Sequence, residues 1–491
     1  MSGIALIRTE YLSMLNPCVM MPLGILQLTS VLEKKGIEVI DVVDTSIVRF
    51  TDLRARLERV VDARPEMIGL STVSNHQPFA RAVSRFFKSR LPDTPIVLGG
   101  PFASADPHGV LQRAEVDMAV HGEGEEALPA LIQALRAGED YRSIPGLIYR
   151  DDETVHVNPS HPLDIPLDEL PFVAWDRVDF DYYGRFLSMC FRRSPFAAIM
   201  TSRGCPYNCI YCHKIFGNRF RGRSPDHVLE EMHLLWREYG LRRFEFVDDI
   251  FNFDHARTVE ILTRMRDELP GVRVGFGNGL RADRLDEEIF KLMRDVRCHF
   301  LPIPVETAVP HMQKVIGKNL DISKAVEAAR LARKYGIHTW GFFMIGFPGE
   351  TREEMEATID FAEAMDIDYR AIQTSNPFEG TQLREMLGSH AVGSELGNVH
   401  ADYTDGVVNS LNDRKLRVMR RQLRNPANWY FLFNIAFWKL WWMGPRQVIS
   451  HAFNLLREGL LGRRKYTVPS LEKERAEVLR KTLEALACDR G

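Results

Sequence analysis

Residues 203–214 read RGCPYNCIYCHK, which places Cys205, Cys209 and Cys212 in a Cys-x3-Cys-x2-Cys spacing. Close thiols can ligate metal, but three are one fewer than a structural zinc site supplies. His213 follows Cys212 directly, where it is poorly placed to join the same ion, and no second ligand pair appears downstream. A disulfide framework fits no better, because the whole chain holds seven cysteines, an odd and sparse number that suits a reducing cytosol. Three thiolates can instead hold three irons of a [4Fe–4S] cubane and leave the fourth open to a small molecule. Cys18, Cys298 and Cys488 read as buried or incidental thiols. Lys214, Arg219, Arg221 and Arg223 follow the thiols; they would compensate an anionic cluster, steer an anionic substrate, or simply form a solvated loop.

The elements that must position these residues are legible as apolar runs. Six lie at 196–202, 243–251, 273–280, 299–306, 338–346 and 369–377, separated by helical segments such as 226–240 and 351–365. Six β/α units in a row predict a partial (β/α)6 TIM barrel with its chemistry at the strand carboxyl ends. The thiols begin just after the first of these strands, and Asp248, Asp249 and Glu306 stand at later strand ends.

Residues 3–140 carry a second alternation. Runs at 3–8, 37–44, 67–73, 95–101 and 117–122 predict five strands, with helices at 24–36 and 79–91 among the segments between them. This pattern predicts a doubly wound, Rossmann-like parallel sheet whose ligand sits outside the strand carboxyl ends. Those ends carry Ser71-Thr72, Gly99-Gly100-Pro101 and His121-Gly122-Glu123-Gly124-Glu125. Glycines there let a backbone approach a large flat ligand, although they also serve ordinary turns. Residues 141–195 are rich in Pro and Asp without a sustained period and predict a strand or two, then a linker. The organisation expected is 1–140, linker 141–195, barrel 196–385 and a helical C-terminal region 386–491.

In that last region a basic stretch precedes an aromatic one, with Trp429, Phe433, Phe437, Trp438, Trp441 and Trp442. It is too short and interrupted to span a bilayer. Residues 429–443 would pack on the barrel or make a peripheral membrane contact. A formal net charge of −3 gives no reason to expect a nucleic-acid partner. The first residues, MSGIALIRTEYL, lack a basic segment followed by a long apolar run, so no signal peptide is expected.

With Tyr211 before the last cysteine, the CxxxCxφC stretch resembles the radical S-adenosylmethionine (SAM) superfamily. That resemblance implies a [4Fe–4S] cluster on Cys205, Cys209 and Cys212 whose open iron binds SAM. It also implies cleavage of SAM to methionine and a 5′-deoxyadenosyl radical. FVDDIF (246–251), VETA (305–308) and GFFMIGFPGET (341–351) are similar to the family's SAM-contacting segments. They point to Asp248, Asp249, Glu306, Ile345 and Gly346 beside Tyr211.

The first domain resembles that of the cobalamin-binding subclass through MPLGILQLTSVLEKKG (21–36), GGPFAS (99–104) and HGEGEEALPAL (121–131). This implies cobalamin contacts at Leu23, Gly24, Ser71, Thr72, Gly99, Gly100, Pro101, Gly122 and Glu123. No Asp-x-His-x-x-Gly is present, so no histidine is expected as lower axial ligand; His76 and His121 read as loop histidines or incidental contacts. The domain order looks most like the branch of the anaerobic magnesium-protoporphyrin ester cyclase and the hopanoid methylases. The resemblance implies C-methylation of a hydrophobic lipid, polycyclic or secondary-metabolite substrate from methylcobalamin, fed by a low-potential flavodoxin- or ferredoxin-type donor. Oxidative cyclisation or hydroxylation with the same cofactors is the alternative, and a non-catalytic iron–sulfur or cobalamin sensor is a second. A cytoplasmic protein, with or without membrane association, is expected.

Overall fold

The computed structural model describes residues 3–11 and 18–388, with a few further positions up to 486. The first sheet is built from β1 (Ile4–Arg8), β2 (Val39–Asp44), β3 (Met67–Ser71), β4 (Ile96–Gly99) and β5 (Met118–Val120). All five are parallel, in the order β2-β1-β3-β4-β5. Alternating side chains bury both faces, as the strand period of two requires. Ile4, Leu6 and Val97 pack against Ile25 and Leu32 of the helix Leu23–Lys34 and Leu131 of the helix Gly124–Ala137. Ala5, Ile7, Ile68 and Leu98 face Leu57, Phe79, Phe87 and Phe102 on the other side. This strand order reverses direction between β1 and β3, where doubly wound sheets open a crevice.

The Pro- and Asp-rich stretch begins with the strands expected of it. It supplies an antiparallel pair, β6 (Leu147–Asp151) and β7 (Thr154–Val157), that extends the first sheet beyond β5. Beyond it, Trp175, Phe180, Tyr183 and Phe186 are buried in the core of the second domain. Aperiodic segments can be fixed by isolated anchors, and Trp175 donates its indole N–H to Glu231 at 2.9 Å.

Six parallel strands follow: β8 (Ala197–Ile199), β9 (Arg243–Phe246), β10 (Arg273–Phe276), β11 (Leu301–Glu306), β12 (Thr339–Ile345) and β13 (Tyr369–Thr374). They pair as two triplets, joined by a parallel bridge between Gly275 and Phe300. The result is the partial barrel expected, with helices such as Pro225–Glu238 and Arg352–Ala364 outside it.

Past residue 388 an antiparallel pair joins Ala391–Gly393 to Val399–Ala401, where no strand was expected; three-residue strands leave no readable period. Positions 414–415, 417–418, 480 and 486 are helical. The aromatic run 429–443 and Cys488 lie outside the described residues. No described helix is long and apolar enough to cross a membrane.

Candidate functional site

The thiols sit on a hairpin whose base is the antiparallel pair Ser202–Arg203 with Arg221–Gly222. Gly204, at φ 80°, starts the turn; a β-carbon there would strike the carbonyl oxygen of Arg219. Only glycine fits that approach. Two acids at the end of β9 pin the hairpin. Asp248 is buried, and its Oδ1 accepts from the Thr201 N–H (2.9 Å), the Thr201 hydroxyl (2.8 Å) and the Ser202 hydroxyl (2.6 Å). Its Oδ2 has no hydrogen-bond partner among the described residues, and burial raises its pKa. Asp249 faces the cavity described below and accepts from the Gly204 N–H at 3.0 Å; the protein around it raises its pKa as well.

Cys205 and Cys209 are half-buried and Cys212 is exposed; no described cysteine is in a disulfide. The Cys209 thiol is held down to about 6, chiefly by a hydrogen bond from Cys212. Burial opposes that shift, while Lys318, the Tyr211 hydroxyl and Arg281 add to it. Among the described residues, the groups whose ligand atoms lie within 4.8 Å of one another, close enough for one ion, do not include the three cysteines together. A polynuclear cluster, with one thiolate per iron, accepts that wider spread.

Behind the hairpin, Glu306 ends β11 at a bulge and adopts φ 70°. A left-handed backbone at a non-glycine strand end is stored strain, held only by its surroundings. Its carboxylate accepts from Lys318 Nζ at 3.2 Å, and Lys318 reaches the Tyr211 hydroxyl at 3.5 Å. Burial and then Glu306 raise the Tyr211 pKa. Ile345 is fully buried, and its carbonyl accepts from the Ser375 N–H at 2.8 Å. Gly346 donates its N–H to Glu350 at 2.6 Å, and burial pushes the Glu350 carboxyl up to about 7.

The carboxyl ends of the first sheet and of the barrel strands β8, β9 and β10 open onto one cavity of about 680 Å³; Asp249 lines it, whereas the three cysteines, Tyr211, Asp248, Glu306, Ile345 and Gly346 do not. Leu23, Gly24, Ser71, Gly99, Gly100, Pro101, Gly122 and Glu123 line it from the first domain. Gly100, at φ 85°, lies against Ser71: an added β-carbon would come within 2.7 Å of the Ser71 hydroxyl. At Ser71 and Gly99–Gly100 the wall is thus backbone and small side chains, which fits a broad flat group such as cobalamin. Thr72 does not line it; it is fully buried and donates its hydroxyl to the Thr9 carbonyl at 3.0 Å. His76 is on the wall, stacked on Tyr11 at 4.5 Å. His121 is hydrogen-bonded to the Asn158 carbonyl at 2.7 Å instead. The barrel contributes Arg203, Phe216, Val247, Asp249, Asn278 and Phe378, and Met189 joins them from the segment before it.

Three features escaped the sequence reading. Lys318 has no local pattern to mark it, although it follows a positive-φ glycine, Gly317. Glu123 and Glu125 clasp the hairpin: Arg203 donates one nitrogen to each carboxylate at 2.6 Å, and Arg221 donates to Glu123 at 2.8 Å. Glu123 therefore lines the cavity with its charge already matched. Three of the four basic residues after the thiols are also committed elsewhere. Arg221 serves that clasp, Arg223 pairs with Glu231 at 2.6 Å, and Lys214 reaches Asn208. The cations near the thiols are Lys318 and Arg281.

Residues 199–362 match the Radical SAM superfamily and residues 18–132 match the B12 binding domain. An uncharacterized methyltransferase of Pyrococcus horikoshii is 34% identical over 368 residues, covering 74% of this chain and 78% of that protein. The chain belongs to the cobalamin-binding radical SAM enzymes. Their cofactors, a [4Fe–4S] cluster, SAM and cobalamin, are its cofactors. The cytidylyl-2-hydroxyethylphosphonate methyltransferase of Streptomyces wedmorensis is 27% identical, covering 79% of this chain and 82% of its own. The fold matches the radical SAM methyltransferase TsrM of Kitasatospora setae with a TM-score of 0.66 at 21% identity, covering 80% of this chain and 78% of that one.

Proposed function

We propose that this cobalamin-dependent radical SAM enzyme methylates an unactivated carbon of a hydrophobic lipid, polycyclic or secondary-metabolite molecule. In this reading Cys205, Cys209 and Cys212 hold the cluster, and Tyr211, Asp248, Asp249, Glu306, Ile345 and Gly346 form the SAM cradle. Leu23, Gly24, Ser71, Gly99, Gly100, Pro101, Gly122 and Glu123 face cobalamin, with Thr72 buttressing its strand end from behind. When bound, these groups would supply a hydrogen-abstracting radical and a methyl donor.

The observation that carries the reading is one cavity lined both by the strand ends of the first domain and by residues following β8, β9 and β10 of the barrel, Asp249 among them. Reactants brought together there gain from proximity, and an apolar wall limits water at the reacting carbon. Met189, Phe216, Val247 and Phe378 supply that apolar wall on the barrel side. Asp248, Asp249 and Gly204 hold the cluster hairpin at a fixed place, while Lys318 and Arg281 offset negative charge beside it. The electron donor in this reading is a low-potential flavodoxin- or ferredoxin-type protein, and the enzyme works in the cytoplasm. A peripheral membrane contact would fall to residues 429–443.

Two measurements test the proposal. Metabolites and lipids from strains with and without the gene, compared by mass spectrometry, should differ by a methyl group on an apolar product. Anaerobic turnover of that precursor should yield S-adenosylhomocysteine together with 5′-deoxyadenosine. Deoxyadenosine alone would establish cyclisation or hydroxylation instead. A polar, nucleotide-linked precursor would refute the substrate class while leaving methyl transfer intact.

A further inference from the structure

A second cavity, of about 830 Å³, lies at the opposite, amino-terminal ends of the barrel strands. Arg192, Arg193, Arg242, Arg243, Arg273 and His299 line it, against only Asp179 and Asp181 among acids. Asp179 is already engaged as a helix cap, accepting from the Tyr182 N–H at 2.8 Å. Five arginines against two aspartates make the lining of this open cavity net positive, even with Glu245 beside Arg243. Their placement is unusual as well as their number. Arg243 and Arg273 open adjacent parallel strands and are paired in register. Like charges in that position repel, so the arrangement costs stability unless something negative sits between them.

The individual side chains differ in what they have left to give. Arg243 is buried; it donates to the Ser194 carbonyl at 2.5 Å, lies 4.8 Å over the Phe196 ring and sits 3.9 Å from Glu245. It is a structural cation that shapes the field. Arg242 is anchored over the Trp236 ring at 4.0 Å, with Nη1 on the Trp236 and Leu241 carbonyls. Arg273 is exposed, and its side chain makes no ion pair or hydrogen bond among the described residues. Both ring nitrogens of the half-buried His299 also lack a hydrogen-bond partner. Burial, reinforced by Arg243, Arg192 and Arg273, pushes the imidazole down to about 3, so it is neutral and can donate one N–H. A free guanidinium fork beside a neutral imidazole donor suits a tetrahedral oxyanion.

We propose that this cavity binds a small phosphate-bearing anion, at a site separate from the cluster and cobalamin end of the barrel. The same charges argue against a cation. Cys190, Glu245 and His299 have ligand atoms within 4.8 Å of one another, but the arginines that suppress a proton on His299 would repel a metal ion there too.

Isothermal titration of the anaerobically reconstituted, full-length protein, with cobalamin bound first, tests this. Inorganic pyrophosphate, orthophosphate and ATP are the three probes. Saturable binding of one equivalent is expected for at least one of them, weakening as salt rises. A preference for ATP over pyrophosphate would assign a nucleotide ligand, and the reverse a free phosphate compound. Arg273→Ala should weaken the best probe about tenfold, Arg242→Ala with Arg273→Ala more, and Arg273→Lys should recover part of the loss. Both positions are exposed, and far-ultraviolet circular dichroism would verify that the variants fold. No saturable binding at millimolar probe, an affinity indifferent to Arg273→Ala in a folded variant, or stoichiometric zinc uptake that blocks the probes would each overturn the proposal.

Discussion

Replacing Arg203 with alanine should uncouple the two domains. Its guanidinium is 9% exposed and its partners Glu123 and Glu125 are 1% and 8% exposed at the side chain. Two charge-assisted hydrogen bonds of 2.6 Å disappear, and of the two buried carboxylates Glu123 keeps Arg221 and the Leu163 N–H while Glu125 loses its arginine. Breaking a buried pair by removing one member costs about 3–5 kcal/mol, mostly as the uncompensated charge that remains. A double-mutant cycle separates this from lost packing: Arg203→Ala with Glu125→Gln should recover at least about 1 kcal/mol of the loss. Urea denaturation of the cofactor-loaded protein reads the stability. The functional readout is the ratio of methylated product to 5′-deoxyadenosine, because the clasp joins the hairpin bearing the thiols to the helix Gly124–Ala137 beside the cobalamin wall. That ratio should fall while SAM cleavage persists. A loss below about 1 kcal/mol, or an unchanged ratio, would refute the argument that this clasp is desolvated and sets the distance between the cofactors.

Alanine at Cys205, Cys209 or Cys212 should abolish the cluster absorbance and SAM cleavage, whereas Cys298→Ala should retain both; iron and sulfide analysis checks this. Gly204→Ala should also lose iron, because the hairpin must open to admit the β-carbon. Glu306→Gln removes the partner of a buried lysine and should weaken SAM at least tenfold in equilibrium binding. Glu350 gives a pH signature: its pKa rises from 4.5 to about 7 on folding, so the folded state favours its protonated form. That contribution, about 3 kcal/mol, is fully present below pH 4.5 and is lost as pH rises through about 7. Glu350→Gln should flatten this part of the stability profile, and an unchanged slope would assign it to another group.

Much of this architecture could be read from local pattern, because buried parallel strands must be continuous apolar runs and their ends must carry the chemistry. The cysteine spacing and the acids at 248, 249 and 306 are of this kind. The clasp is not, since Arg203 and Glu123 are eighty positions apart and no periodicity links them. The run HGEGEE looked like a ligand wall; its glycines do line the cavity, while its acids also answer arginines of the other domain. Lys318 was hidden for the same reason, a single cation meeting Glu306 only after the chain folds. The stretch 141–195 showed its two strands in advance but not its aromatic anchors. Its prolines and aspartates masked aromatic anchors at Trp175, Phe180 and Tyr183, which bury themselves without forming a periodic element.

Electron paramagnetic resonance of the reduced, anaerobically reconstituted protein, recorded with and without SAM, tests the central claim most directly. A cubane held by three thiolates should give a [4Fe–4S]⁺ signal that changes shape when SAM is added, as the fourth iron gains its ligand. A signal indifferent to SAM, or a protein that binds one tetrahedral metal ion in place of a cluster, would contradict the account.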